Sequence, residues 1–177
     1  MQRPGWQARL NAAAVPAGIA SWLHEPGSLT ARLVKNSRQF RVRLLASGNG
    51  RALGGWPPNS RARQARVREV VLEADGIPVI FAHTVIPAHA RGRLRRWLAG
   101  LGERSLGSLL FTHPGFQRTP LTYRRLPRNH PLYRRASPWT DHPTPTLWAR
   151  CCRHRLDGES VQVVEVMLPV LWRICRT

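Results

Sequence analysis

Residues 65–87 read ARVREVVLEADGIPVIFAHTVIP. Two runs of β-branched and apolar residues flank Asp75-Gly76, a pair suited to the positive φ angles of a two-residue hairpin turn. Alternation places Val67, Glu69, Val71 and Glu73 on one face of the first strand, and Arg68, Val70 and Leu72 on the other. The face with two carboxylates is expected to meet solvent, which turns Arg68 toward the core. A charge there is costly unless it is paired and hydrogen-bonded. Its partner must come from elsewhere in the chain or from a ligand.

A second hairpin is expected at 147–168, around Asp157-Gly158. Its last strand, VQVVEVML (161–168), repeats the anomaly. Val161, Val163, Glu165 and Met167 share one face, and Gln162, Val164, Val166 and Leu168 share the other, so Glu165 sits among apolar neighbours. Two arrangements fit. One is a buried Arg68–Glu165 ion pair. The other is an anion pocket in which Arg68 grips a ligand carboxylate bidentately while Glu165 hydrogen-bonds or exchanges a proton. Periodicity does not separate them.

Between and around the hairpins the chain reads as one unit without repeats. Residues 1–20 form an N-terminal arm, helical around Gln7 to Ala14, and residues 21–177 form the domain. Ser28 is suited to cap a helix from Leu29 to Lys35, with Leu29 and Leu33 at i, i+4 and a break at Asn36-Ser37. Phe40 to Ala46 reads as a strand, with Phe40, Val42 and Leu44 on one face. Gly48 to Ser60, with Trp56, reads as a loop. A basic helix is expected from His89 to Leu98, and a short helix or turn from Ser105 into Phe111. Thr112 to Thr146, rich in proline, reads as loops with a brief strand at Leu121 to Arg124.

The chain has 177 residues and a formal net charge of +19, with 28 Lys and Arg against 9 Asp and Glu. Such a balance raises nucleic acid or an anionic membrane as partners. Lys35 is the sole lysine, however, and the arginines are dispersed without a block of like charge. No zinc spacing, RNA-binding signature or helix-turn-helix accompanies them. A small anionic ligand fits better, no specific nucleic-acid partner is expected, and membrane contact is not required. Cys151, Cys152 and Cys175 form no C-x-x-C and imply no disulfide framework. His113, His130, His142 and His154 lack a metal-ligand rhythm and read as surface or turn residues. Trp22, Trp97, Trp148 and Trp172 read as packing residues. No G-x-S-x-G, Walker loop, G-x-G-x-x-G or H-E-x-x-H occurs. The apolar runs are too short to span a bilayer, and Pro16 interrupts the only candidate leader, so a cytoplasmic protein is expected.

Three stretches in order carry a family resemblance: VREVVLEADGIP…HTVIP (67–87), SLGSLLF (105–111) and LWARCC…EVMLP (147–169). Together they resemble the chorismate pyruvate-lyase family over roughly Ser21 to Pro169. The resemblance implies an α+β fold: a single domain with a mostly antiparallel sheet, helices packed on it, and helical flaps over a buried ligand pocket. It implies a lyase that releases pyruvate from chorismate and leaves 4-hydroxybenzoate for ubiquinone biosynthesis, with no cofactor and no metal, in a monomer.

The same resemblance carries over site residues. Arg68 matches the arginine of the family's R-E-[IV]-[LV]-L strand, and Glu165 the glutamate before the final apolar-Leu-Pro. Leu106 matches the leucine of the L-G-x-x-L-F turn. Leu29 stands where the family has Met on a flap, keeping an apolar lid. Arg68 and Glu165 are the catalytic candidates. Leu29, Arg68, Leu106, Glu165 and His83 are the substrate-binding candidates, His83 standing where some members have Arg in G-R-T-V-V-P. Cys151-Cys152 replaces a common Arg-Ser, and the 112–146 segment is longer than in the shortest members.

Two other functions are compatible with the residues. One is a non-catalytic, effector-type domain of the same fold that binds a small aromatic acid, although the twenty or so residues before the pattern leave no room for a winged helix. The other is a basic nucleic-acid-binding protein, which steeply salt-dependent duplex binding would reveal.

Overall fold

The computed structural model describes residues 5–11, 14–55, 64–88, 90 and 92–174. Among these residues seven strands form one antiparallel sheet: β1 (Phe40–Arg51), β2 (Gln64–Ala74), β3 (Ile77–Pro87), β4 (Gln117–Arg118), β5 (Thr122–Pro127), β6 (Thr146–Leu156) and β7 (Glu159–Met167). Their order is β1-β2-β3-β7-β6-β4, with β5 also along the outer edge of β6. Six helices pack around it among the described residues: α1 (Ala17–Leu23), α2 (Leu29–Lys35), α3 (Arg93–Ala99), α4 (Leu106–Thr112), α5 (Pro131–Ala136) and α6 (Leu171–Ile174). None is long and apolar enough to cross a membrane.

Both hairpins form as their turns dictate. Asp75 and Gly76 have φ of 51° and 80°, Asp157 and Gly158 of 51° and 77°, the left-handed pair whose twist matches that of the flanking strands. The second hairpin runs in unbroken register from Leu156↔Glu159 to Arg150↔Glu165 and on to Trp148↔Met167. The first is interrupted. Glu73 pairs with Pro78 but Leu72 pairs with Ile80, so Val79 is an extra residue in β3. Beyond that bulge Glu69 faces His83 and Arg68 faces Thr84.

The sheet is covered on both sides. Trp22, Leu23, Leu29, Leu33 and Leu171 pack over Val70, Leu72, Ile80 and Met167 on one face, and Leu94, Leu98, Leu106 and Leu110 extend that layer over Ile86 and Val161. On the other face Leu132, Tyr133 and Ala136 of α5 cover Val71, Phe81, Ala149, Val164 and Val166. β3 accordingly reads as a nearly unbroken apolar run, buried from Val79 to Pro87, as a strand covered on both faces should. The solvent face expected for Glu69 and Glu73 therefore does not exist: both are 3% exposed. Arg135 and His83 bond the Glu69 carboxylate, and Arg43 Nη2 lies 2.9 Å from Glu73 Oε1. Two carboxylates in a β-strand marked ion pairs under a second layer instead of water.

Other local expectations need adjustment. α2 spans the expected residues, and Ser28 Oγ accepts from the Ala31 N–H at 3.2 Å. The strand from Phe40 continues to Arg51, so the loop begins later than Gly48, and residues 56–63 with Trp56 lie outside the described set. α3 starts at Arg93, and His89, Arg91 and Cys175 also lie outside that set. Gln7 is not helical. Its N–H and C=O both bond Tyr123 of β5, while Val15 and Ile19 enter the core. The proline-rich segment holds α5, which starts at Pro131 behind a His130 cap, the position where proline's missing N–H and fixed φ suit a first turn. Trp172 is partly exposed, unlike the buried Trp22.

Because Ser28 caps a helix of only seven residues, Ser28→Ala is expected to cost about 0.5–2 kcal/mol. Thermal unfolding should register this as a fall of a few degrees in Tm.

Candidate active site

Three rows of side chains run across the sheet on the face that carries Arg68. One row is Arg68, Thr84, Val163 and Cys152; the next is Val70, Ala82, Glu165 and Arg150; the third ends in Val161, His154 and Arg118. They floor a cavity that, with the open solvent at its mouth counted in, holds about 540 Å3 of non-atom space. Thr30 of α2 and Leu106, Gly107, Leu110 and Phe111 of α4 line it from above. Thr30 Oγ1 and Ser105 Oγ lie 2.8 Å apart, joining the two covering helices. A Cβ on Gly107 would lie 3.0 Å from Ser28 Oγ and 3.1 Å from Thr30 Oγ1, so glycine permits this close approach.

The two charges singled out in the sequence share the cavity without pairing. Glu165 accepts from Arg150 Nε at 2.6 Å, its direct cross-strand neighbour. Arg150 Nη1 bonds the Glu25 carbonyl at 2.6 Å. Arg68 lies two strands from Glu165, roughly 10 Å across the sheet. It is 5% exposed. Nη2 donates to the Gly102 and Arg104 carbonyls, each at 2.9 Å, and buried Nε has no partner among the described residues. No carboxylate there neutralises it. Burial accordingly pulls its pKa down to about 10. Three guanidiniums, on Arg68, Arg118 and Arg150, face one carboxylate in the cavity, leaving two positive charges in excess.

The remaining sequence candidates divide. Leu106 lines the cavity. Leu29 is fully buried in the cluster beneath α2, and its neighbour Thr30 reaches the cavity. His83 is on the opposite face, where Nδ1 lies 3.0 Å from Glu69 Oε1 and Nε2 accepts from the Leu53 N–H at 3.2 Å. Burial works against the Glu69 charge, but the His83 and Arg135 hydrogen bonds outweigh it and hold its pKa below the usual carboxylate range.

Sequence reasoning missed Arg118, Arg150 and His154. Arg150 was within reach: an Asp157-Gly158 two-residue turn pairs Leu156 with Glu159, and six residues further out it pairs Arg150 with Glu165. His154 is no surface histidine, being 3% exposed. Arg118 carried no local signal; it is placed by the two-residue strand β4, which pairs it with His154.

The comparisons with known proteins agree with this geometry. The family described as Chorismate lyase matches residues 1–176.

The chain belongs to the chorismate lyase family.

A probable chorismate pyruvate-lyase of Dechloromonas aromatica is 51% identical over 97% of this chain and 98% of its own. Proteins of the same name from Cupriavidus pinatubonensis and Nitrosomonas europaea are 40% and 37% identical, over 96% and 90% of this chain and 91% of their own in both cases. Among solved structures, PhnF from Mycobacterium smegmatis superposes with a TM-score of 0.57 at 19% identity, over 82% of this chain and 65% of that one. Its effector domain gives 0.54 at 18%, over 81% and 89%. At these identities the likeness is one of fold.

Two histidines give the family member a predictable acid response. Burial, and then the nearby Arg118 and Arg150, push His154 down to about 4. Burial and Arg124 do the same to His130, whose Nδ1 accepts the Leu132 N–H as a helix cap. Both values lie below the unfolded-state value of about 6.5, so the unfolded chain takes up these protons first. Their contribution is full above about pH 6.5 and is lost as pH falls toward 4. Tm should drop across that interval, and the drop should shrink in His130→Asn, which keeps a capping acceptor.

Proposed function

We propose that the protein is a chorismate pyruvate-lyase, converting chorismate to 4-hydroxybenzoate and pyruvate for ubiquinone biosynthesis. The observation that carries this reading is Arg68: a buried cation without a carboxylate partner among the described residues, in a cavity with two positive charges in excess. Chorismate brings two carboxylates. Arg68 holds the ring carboxylate, and the ring lies over Ala82, Thr84 and Val163, whose short side chains leave room above the sheet. Leu106 and α2 close over it as apolar flaps, Leu29 acting by fixing α2 on the core.

The elimination breaks the ether C–O bond at the ring and removes the proton from the neighbouring hydroxyl-bearing carbon. The proton ends on the departing enolpyruvyl carbon, which becomes the methyl group of pyruvate, and the ring becomes aromatic. Aromatisation drives the reaction, so orientation in a dry cavity and a modest proton-handling group suffice. Glu165 is that group. Arg150 aims it by bonding Oε2, leaving Oε1 for the substrate. The protein works as a cytoplasmic monomer without a cofactor.

The test is incubation of purified protein with chorismate and no added cofactor, following 4-hydroxybenzoate and pyruvate together. Equimolar release is expected. Folded protein that binds 4-hydroxybenzoate yet releases neither product would instead make this an aromatic-acid-binding domain on the same fold.

A further inference from the structure

At the end of the cavity farthest from Arg68, Arg118 and His154 face each other across the β4–β6 ladder, and both line the cavity. Three strand spacings, roughly 14 Å, separate the Arg68 row from its far end at Cys152. The cavity is therefore a trough with a cationic group at each pole and short side chains between.

His154 is the unusual member. It is 3% exposed, Phe111 and Phe116 meet its ring edge-on at 6.0 and 6.2 Å, and buried Nδ1 has no partner among the described residues. Its other nitrogen, Nε2, lies 3.4 Å from Cys152 Sγ. Burial first, and then the Glu165 charge, hold the Cys152 thiol up at about 11, so it keeps its hydrogen and has it to donate to Nε2. With the thiol donating, the neutral ring carries its own hydrogen on Nδ1, a buried donor without an acceptor. Arg118 stands beside it, held by a bond from Nη1 to the Pro26 carbonyl and by the Phe111 ring, 5.4 Å from its Cζ.

We infer that Arg118 and His154 form a second carboxylate subsite, which holds the enolpyruvyl carboxylate of the substrate through the Arg118 guanidinium and the His154 Nδ1–H. This rests on the chorismate reading and deepens it. Arg68 and the second subsite divide the two carboxylates of the dianion, so the trough selects substrate over a monocarboxylate of the same ring. After the ether breaks, the aromatic product remains on Arg68 and pyruvate on Arg118. Cys152 is a positioning residue that acts by fixing the His154 tautomer.

The test compares ligands that do and do not reach the far pole. In Arg118→Gln and in His154→Leu, KM for chorismate is expected to rise about 10- to 100-fold, the scale of a lost charge-assisted hydrogen bond. Kd for 4-hydroxybenzoate should stay within about twofold, and competitive inhibition by pyruvate should weaken. Cys152→Ser, which keeps a donor, should behave as wild type, whereas Cys152→Ala should shift KM alone. If Arg118→Gln does not fold, Arg118→Lys, which keeps the charge and loses the fork, reads the same split.

Unchanged chorismate KM in folded variants would overturn the subsite, as would equal losses for chorismate and 4-hydroxybenzoate. Wild-type protein that bound 4-hydroxybenzoate but not chorismate would overturn the lyase reading itself.

Discussion

Arg68→Gln should lower both turnover of chorismate and affinity for 4-hydroxybenzoate by roughly a hundredfold or more, the scale for truncating one side of a buried charge pair. Both are expected to fall because the proposed contact puts the ring carboxylate and the product carboxylate on the same guanidinium. The stability effect should run the other way from a damaged core. Arg68 is a buried cation without a counter-ion among the described residues, so its removal relieves a desolvation cost, offset by the two bonds from Nη2 to the Gly102 and Arg104 carbonyls. A glutamine amide replaces one of those bonds. Tm near the wild-type value, with loss of the Tm rise that 4-hydroxybenzoate gives wild-type protein, is the expected result. A variant that fails to fold would make Arg68 a clamp on the 102–104 loop, and one that still binds product would remove it from the site.

Glu165 calls for two substitutions, because the proposed mechanism adds proton transfer to its bond with Arg150. Glu165→Ala leaves Arg150, 2% exposed, without the carboxylate at 2.6 Å, and a buried pair broken in this way costs about 3–5 kcal/mol. Denaturant unfolding measures that loss. Glu165→Gln keeps an oxygen for Arg150 Nε and should fold, but it cannot take a proton. Its kcat should fall about 100-fold or more, within the range for a lost acid–base group, while Kd for 4-hydroxybenzoate changes little. Equal losses in kcat and product affinity would make Glu165 a binding group.

The sheet and its two hairpins were legible because two-residue Asp-Gly turns and period-2 patterns are local chemistry. The inward direction of Arg68 was legible too, although by a flawed route: it was inferred from a wet glutamate face that α5 in fact covers. The cover was hidden because α5 is six residues long and lies among prolines, too short for a periodic signal. His83 was misplaced for a different reason. Counted straight from the Asp75-Gly76 turn, it pairs with Arg68 and shares its face; the extra residue at Val79 instead pairs it with Glu69. Arg118 and His154 come together only through the β4–β6 pairing, a non-local contact.

A strand of period two has only two phases, and β3 uses both. Before Val79 it is in the phase set by the turn, and after it in the opposite one. Everything that distinguishes the cavity side from the opposite side depends on that single switch: Thr84 and Ala82 in the cavity floor, His83 in the Glu69 ion cluster. Pairing Val79 into a regular ladder would instead carry the first phase along the rest of the strand. His83 would then enter the cavity beside Arg68 and Glu69 would lose a partner, while Thr84 turned into the opposite layer. Deleting Val79, by contrast, would remove the extra residue and leave Leu72 opposite Ile80 and Glu69 opposite His83. The hairpin therefore tolerates loss of the bulged residue, whereas one added residue between Val79 and Thr84 turns every later side chain to the other face, and chains of this family that differ in length should place single-residue insertions outside that frame.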